Sequence, residues 1–197
     1  NLFVAVTTGL LGVGYLIGVV IYAFSQIGAA GRVLDPAFTA IGLRAERYMV
    51  FGRQYGGTVD GREMRGDYVP GRVLNPSALN VYLSLSGASP MAIGSGRPLF
   101  DCADCPPVDV EGLDLAGLQV YARDAAAARR VLTASDTRAA LRRLLAAQPD
   151  LGRRDLYVQP DRLWLHARLS PQGMSTHVTD WLADLQTLAR AFESKKE

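Results

Sequence analysis

Lysine is nearly absent from this chain: of 21 basic residues only Lys195 and Lys196 are lysines, both in the Ser194–Glu197 tail. With abundant alanine and glycine, this arginine excess reads as the coding bias of a GC-rich bacterial genome, which lowers the weight of any single arginine as a functional clue. Cysteine (Cys102, Cys105) and histidine (His166, His177) occur twice each. No charged side chain precedes Arg32. The net charge is only +2, which excludes the strongly basic footprint of a nucleic-acid binder. Several motifs are missing too. No GxSxG elbow fixes a nucleophile, Gly56-Gly57 and Gly94-Ser95-Gly96 fall short of a Walker loop, and no GxGxxG appears. Gly12-Val13-Gly14 lies within an apolar run and is no dinucleotide loop. No cofactor is predicted and no small-molecule substrate is evident.

The run itself is the most prominent feature present. Leu2–Ile27 is apolar apart from Thr, Gly, Ser and Gln. As a helix it would extend about 39 Å, against a hydrocarbon layer of roughly 30 Å. A secretory signal peptide would have a basic start and a shorter apolar core. The expectation is therefore a transmembrane helix with its exit over residues 1–31. A juxtamembrane linker over 32–44 and a membrane-anchored domain over 45–197 would follow. Gly14 and Gly18 form a GxxxG pair, the pattern that lets a second helix approach closely. Arg32, Arg44, Arg47 and Arg53 place the domain on the cytoplasmic side of a bacterial inner membrane by the positive-inside rule.

Beyond the run, the pattern predicts a single α+β domain with a largely antiparallel sheet and three helices. Arg47–Tyr55 reads as a strand, with Gly56-Gly57 or Asp60-Gly61 as the tight connection of a hairpin. In Leu79–Ser86 the apolar residues Leu79, Val81, Leu83 and Leu85 alternate with polar ones, the mark of a half-buried strand. Short strands are expected around Met91–Ile93 and Leu118–Tyr121. Asp124 caps an Ala-rich helix, and Ser135 opens a second one that carries Leu141, Leu144 and Leu145 and is stopped by Pro149. Leu156–Gln159 and Arg162–Leu169 flank Pro160-Asp161 as a late hairpin. Thr176–Phe192 forms an amphipathic helix striped by Trp181, Leu182, Leu185 and Leu188.

Among candidate sites the Cys102-Ala103-Asp104-Cys105 pair is the sharpest. CxxC can form a redox-active disulfide or supply two thiolates to a metal. Pro106-Pro107 follows it, Asp101 and Asp104 flank it, and no βαβ pattern accompanies it. Nearby negative charge raises a thiol pKa, so a structural loop pair is favoured over a catalytic dithiol. A metal set drawing on Cys102, Cys105, His166 and His177 would have to be assembled across the fold. The acids from Asp101 to Asp114 do not follow an EF-hand pattern and read as an exposed loop. Arg129, Arg130 and Arg142 form a basic region that would meet anionic lipid or an acidic partner, and Trp164 is a possible contact on an outward strand face.

Together these residues suggest a non-catalytic accessory or assembly subunit of a bacterial membrane complex. Its span would pack on integral membrane subunits in the lipid bilayer, and its domain would cover a partner at the surface. The alternative is a membrane-anchored thiol-disulfide or metal-binding protein using Cys102 and Cys105.

Overall fold

The computed structural model describes residues 2–48, 52–71, 77–96, 98, 100–113, 115, 117–145, 152–168 and 177–193. Pro149, Asp114, Leu169 and the Ser194–Glu197 tail lie outside them, as do Met49–Phe51 within the first expected strand. Nine strands form one sheet: β1 (Arg44–Tyr48), β2 (Gly52–Val59), β3 (Arg62–Val69), β4 (Ala78–Ser84), β5 (Met91–Gly94), β6 (Pro107–Val108), β7 (Gln119–Ala122), β8 (Arg154–Val158) and β9 (Arg162–Arg168). Their order is β1-β2-β3-β4-β9-β8-β5-β7-β6, and every pairing is antiparallel. Among the described residues four α-helices accompany it: α1 (Leu2–Ala40), α2 (Ala125–Leu132), α3 (Ser135–Leu145) and α4 (Val178–Glu193). The α+β, antiparallel reading holds.

Alternation explains the core. Leu79, Val81 and Leu83 of β4 face the same way as Leu163, Leu165 and Ala167 of β9, and all six are buried. Leu156 and Val158 of β8 continue that layer, and the apolar stripe of α4 joins the same core. Burial of each such side chain contributes about 1.5–3 kcal/mol. Asp124 caps α2 as its position implies, its Oδ1 accepting from the backbone N–H of Ala126 and of Ala127 at 3.0 Å each. Asp184, buried on α4, is bound by Arg143 of α3, which ties the two helices together. Between β2 and β3 the turn falls at Asp60-Gly61, where both residues have positive φ (51° and 76°), the geometry a two-residue hairpin needs. Gly56-Gly57 runs on inside β2 instead.

The largest correction concerns the N-terminal run. Although α1 continues for 39 residues, no helix among the described residues is long and apolar enough to cross a membrane. One observation bears on how the helix is used. Past Gly28 the helix turns inward: Ala30, Leu34, Ala37 and Phe38 are core residues of the domain. Asp35-Pro36 sits within α1. The Asp35 carboxylate accepts from Tyr55 Oη at 2.8 Å and from Arg53 Nε at 2.8 Å, and these bonds tie the helix to β2.

The single-pass inner-membrane placement therefore falls, and the cytoplasmic orientation derived from it falls too. So do bilayer and membrane-subunit partners reached through a span, and the accessory-subunit role built on them. Gly14 and Gly18 lie on α1 with open space where a Cβ would project.

Candidate functional site

With the apolar layer of the sheet turned towards the helices, its opposite face carries the chemistry. Register aligns one residue per strand into a row across that face. Arg65 of β3 stands opposite Tyr82 of β4, Tyr82 opposite Trp164 of β9, and Trp164 opposite Tyr157 of β8. Directly opposed side chains lie close enough on neighbouring strands for rings to meet. Tyr82 and Trp164 stack with centroids 5.7 Å apart, and Trp164 and Tyr157 with centroids 4.8 Å apart. Phe100, exposed on a short 3-10 turn (Phe100–Cys102), meets the edges of Trp164 and Tyr157 at 5.0 and 6.0 Å.

Polar rows flank the aromatic one. On one side Gln54, Asp67, Asn80, His166 and Asp155 are aligned in successive strands. Asn80 Oδ1 accepts from the Trp164 indole Nε1–H at 3.0 Å and lies 2.7 Å from His166 Nδ1. Since that oxygen can only accept, His166 carries its proton on Nδ1, and Nε2 is left to accept from Arg168 Nε at 3.4 Å. Burial lowers the His166 pKa below the ordinary 6.5, and the neighbouring Arg168 and Arg153 cations lower it further against an opposing pull from Asp155. A depressed pKa means that the fold disfavours the imidazolium. The contribution to stability is full above the unfolded value, about pH 6.5. It is lost as the pH falls through the folded one. Urea midpoints of the wild type should thus drop more steeply than those of His166→Gln between about pH 7.5 and about pH 5.

On the other side of the row, Ser84 stands opposite Arg162, and the Glu63 backbone N–H donates to Ser84 Oγ at 3.0 Å. Here the face opens into a groove of about 750 Å³. Tyr48 and Tyr82 stand along it, with Glu63, Arg65, Asp67 and Arg162 between them. Arg65 lies over the Tyr48 ring, 5.9 Å from its centroid, and pairs with Asp67 at 2.9 Å. Asp67 also accepts from Gln54 Nε2 at 2.9 Å. Arg162 pairs with Asp161 at 3.1 Å. Burial raises the Tyr82 phenol pKa, and the Asp67 carboxylate adds to the shift, so the ring stays neutral and available as an apolar wall.

The expected site residues are dispersed. Cys102 and Cys105 are joined to each other by a disulfide, and the pair packs with Ala92, Tyr157 and Trp164 under the Phe100 turn. Cys102 ends a 3-10 turn instead of opening an α-helix, so the dipole that would activate a catalytic thiolate is missing. A metal set drawn from Cys102, Cys105, His166 and His177 fails because the two sulfurs are consumed in that bond. His166 lies on the open face, whereas His177 stacks on Trp181 at the start of α4. Among the described residues no group of three or more His, Cys, Asp or Glu could hold a metal ion. The described residues thus offer no metal cluster, and the cysteine pair is present as a disulfide.

Two members of the basic region have local duties. Arg129 donates to the Asp109 carbonyl at 3.1 Å and Arg142 to the Gly112 carbonyl at 3.1 Å, pinning the acidic loop to α2 and α3. Arg130 is exposed on α2. Trp164 alone of the singled-out residues stands at the centre of a site.

The groove itself was missed. Its members come from β1, β2, β3, β4, the β8–β9 turn and the start of β9, and only the period-two exposure of Tyr82 and Ser84 hinted at a patterned outer face. No protein-family model, curated protein or solved structure matches the chain.

Proposed function

We propose that this chain is a non-catalytic ligand-binding domain, and that the open face of the sheet, centred on the groove beside Tyr82, is its binding surface. One observation carries the reading: a stacked aromatic row ends at a polar groove of about 750 Å³, within the size range of small-molecule sites. The stack supports the Tyr82 wall from behind, so the wall is fixed before a ligand arrives and little ordering entropy remains to be lost. Binding is favoured over catalysis because two of the three groove carboxylates are held in ion pairs, Asp67 by Arg65 and Asp161 by Arg162.

Thermal-shift screening of the full chain against neutral sugars, nucleotides, amino acids and organic cations tests this. A true ligand at about ten times its Kd adds about 1.4 kcal/mol. For a chain of this size that is roughly 3–6 °C in Tm. Tyr82→Ala should abolish the shift while its circular dichroism spectrum remains that of the wild type. Hits that shift the variant equally, or a screen without hits, would refute the binding surface.

A further inference from the structure

The ligand class follows from how the groove distributes its charge, and we infer that it accepts a neutral saccharide. This inference rests on the binding-surface reading above and sharpens it. Glu63, Asp67 and Asp161 bring three carboxylates; Arg65 and Arg162 bring two guanidinium groups. Four of these five charges are paired within the groove itself. An anionic ligand would meet carboxylates and would have to pull an arginine away from its aspartate. A cation would face Arg162 and would have to displace Arg65 from the Tyr48 ring, where a guanidinium already lies. A wholly apolar ligand would strip water from five charged side chains and return no hydrogen bonds, a heavy penalty.

A neutral polyhydroxylated ligand meets none of these obstacles. Each hydroxyl both donates and accepts. It can donate to the outer oxygens of Glu63, Asp67 or Asp161 and accept from Arg65 or Arg162 without breaking either ion pair. Hydrogen bonds to charged partners are the stronger kind, which suits uncharged hydroxyls. The C–H face of a pyranose needs an apolar wall, and Tyr82 supplies one, braced on its other side by Trp164. Ser84 and Thr58, also on the groove, extend the hydroxyl-bonding surface. The volume leaves room for more than one sugar unit, so an oligosaccharide segment is the expected occupant.

Isothermal titration calorimetry on the full chain decides the matter, with maltotetraose, cellotetraose, mannotetraose and chitotetraose as neutral probes, ATP as the anion and choline as the cation. At least one tetrasaccharide should bind, and its affinity should change by less than about twofold between about 50 and about 500 mM sodium chloride, because no net charge is brought together. Tyr82→Ala and Arg162→Ala should each weaken that binding about tenfold or more. The exposed Arg162 site guards against a variant that merely misfolds. If ATP or choline binds in a Tyr82-dependent manner and no tetrasaccharide does, the saccharide inference is overturned and the binding surface stands. If a tetrasaccharide binds equally well to both variants, the groove is the wrong place. If none of the six probes binds, the saccharide inference and the binding-surface reading fall together.

Discussion

Replacing Phe38 with alanine is expected to lower the free energy of unfolding by about 3–5 kcal/mol, the range for removing a fully buried aromatic ring. Phe38 lies on α1 with no exposed surface and stacks on Tyr55 of β2 at a centroid distance of 4.1 Å. It fits there because the neighbouring residue on β3 is Gly66. A Cβ at Gly66 would approach the Phe38 ring to 2.9 Å, so the missing side chain is what lets the helix settle on the sheet. Urea unfolding followed by circular dichroism measures the loss, and Phe38→Leu, which keeps most of the volume, should retain most of the stability. A double-mutant cycle with Tyr55→Leu should give a coupling of about 0.5–1.5 kcal/mol for the stacked pair. A Phe38→Ala protein as stable as the wild type would mean that the last turns of α1 are not part of the core.

Trp164→Ala should have the second-largest effect, and it should act on both stability and binding. Trp164 is the central ring of the row, with Tyr82 on one face, Tyr157 on the other and Phe100 at its edge, and its indole donates to Asn80. Because the ring is only half-buried, the expected cost is at the low end for tryptophan truncation, about 3 kcal/mol. That corresponds to roughly 6–12 °C in Tm for a chain of this length. Differential scanning calorimetry measures it. Without its brace, the Tyr82 wall should lose its fixed position, and ligand-induced thermal shifts should disappear along with those lost in Tyr82→Ala. Trp164→Phe keeps an aromatic ring and forfeits only the Asn80 hydrogen bond, so it should cost about 1 kcal/mol and retain binding. The only other tryptophan, Trp181, lies buried on α4, so the change in emission between wild type and variant reports the open face directly.

Local periodicity made much of the domain legible. Half-buried strands alternate, so Leu79, Val81 and Leu83, and likewise Leu163, Leu165 and Ala167, announce their inward face wherever the strand ends up. Asp124 announces its cap because the bond it makes spans only two or three residues. The strand order was not legible. Pairing β5 with β8 joins Ile93 to Leu156, and no local pattern encodes a contact across that separation. The same limit hid the site: Tyr82 and Trp164 each read as outward, but only the β4–β9 register makes them neighbours. β6 is two residues long and follows a proline, too short for any alternation to show. In the N-terminal run, hydropathy measures how apolar a segment is and not what it touches. Leu34 and Phe38 lie past that run, in the stretch expected to be a linker, and only the fold shows that they enter the interior of the domain.

The two outer strands of the sheet carry a consequence for how this protein behaves among its own copies. At one border β6 offers only two residues, the first of them Pro107, which has no amide hydrogen to give. At the other, β1 displays Arg44, Glu46 and Arg47 along a largely exposed strand. An incoming strand would find too short a template at one margin and exposed charges to desolvate at the other. A sheet this wide would otherwise invite continuation from molecule to molecule, and these two margins resist it.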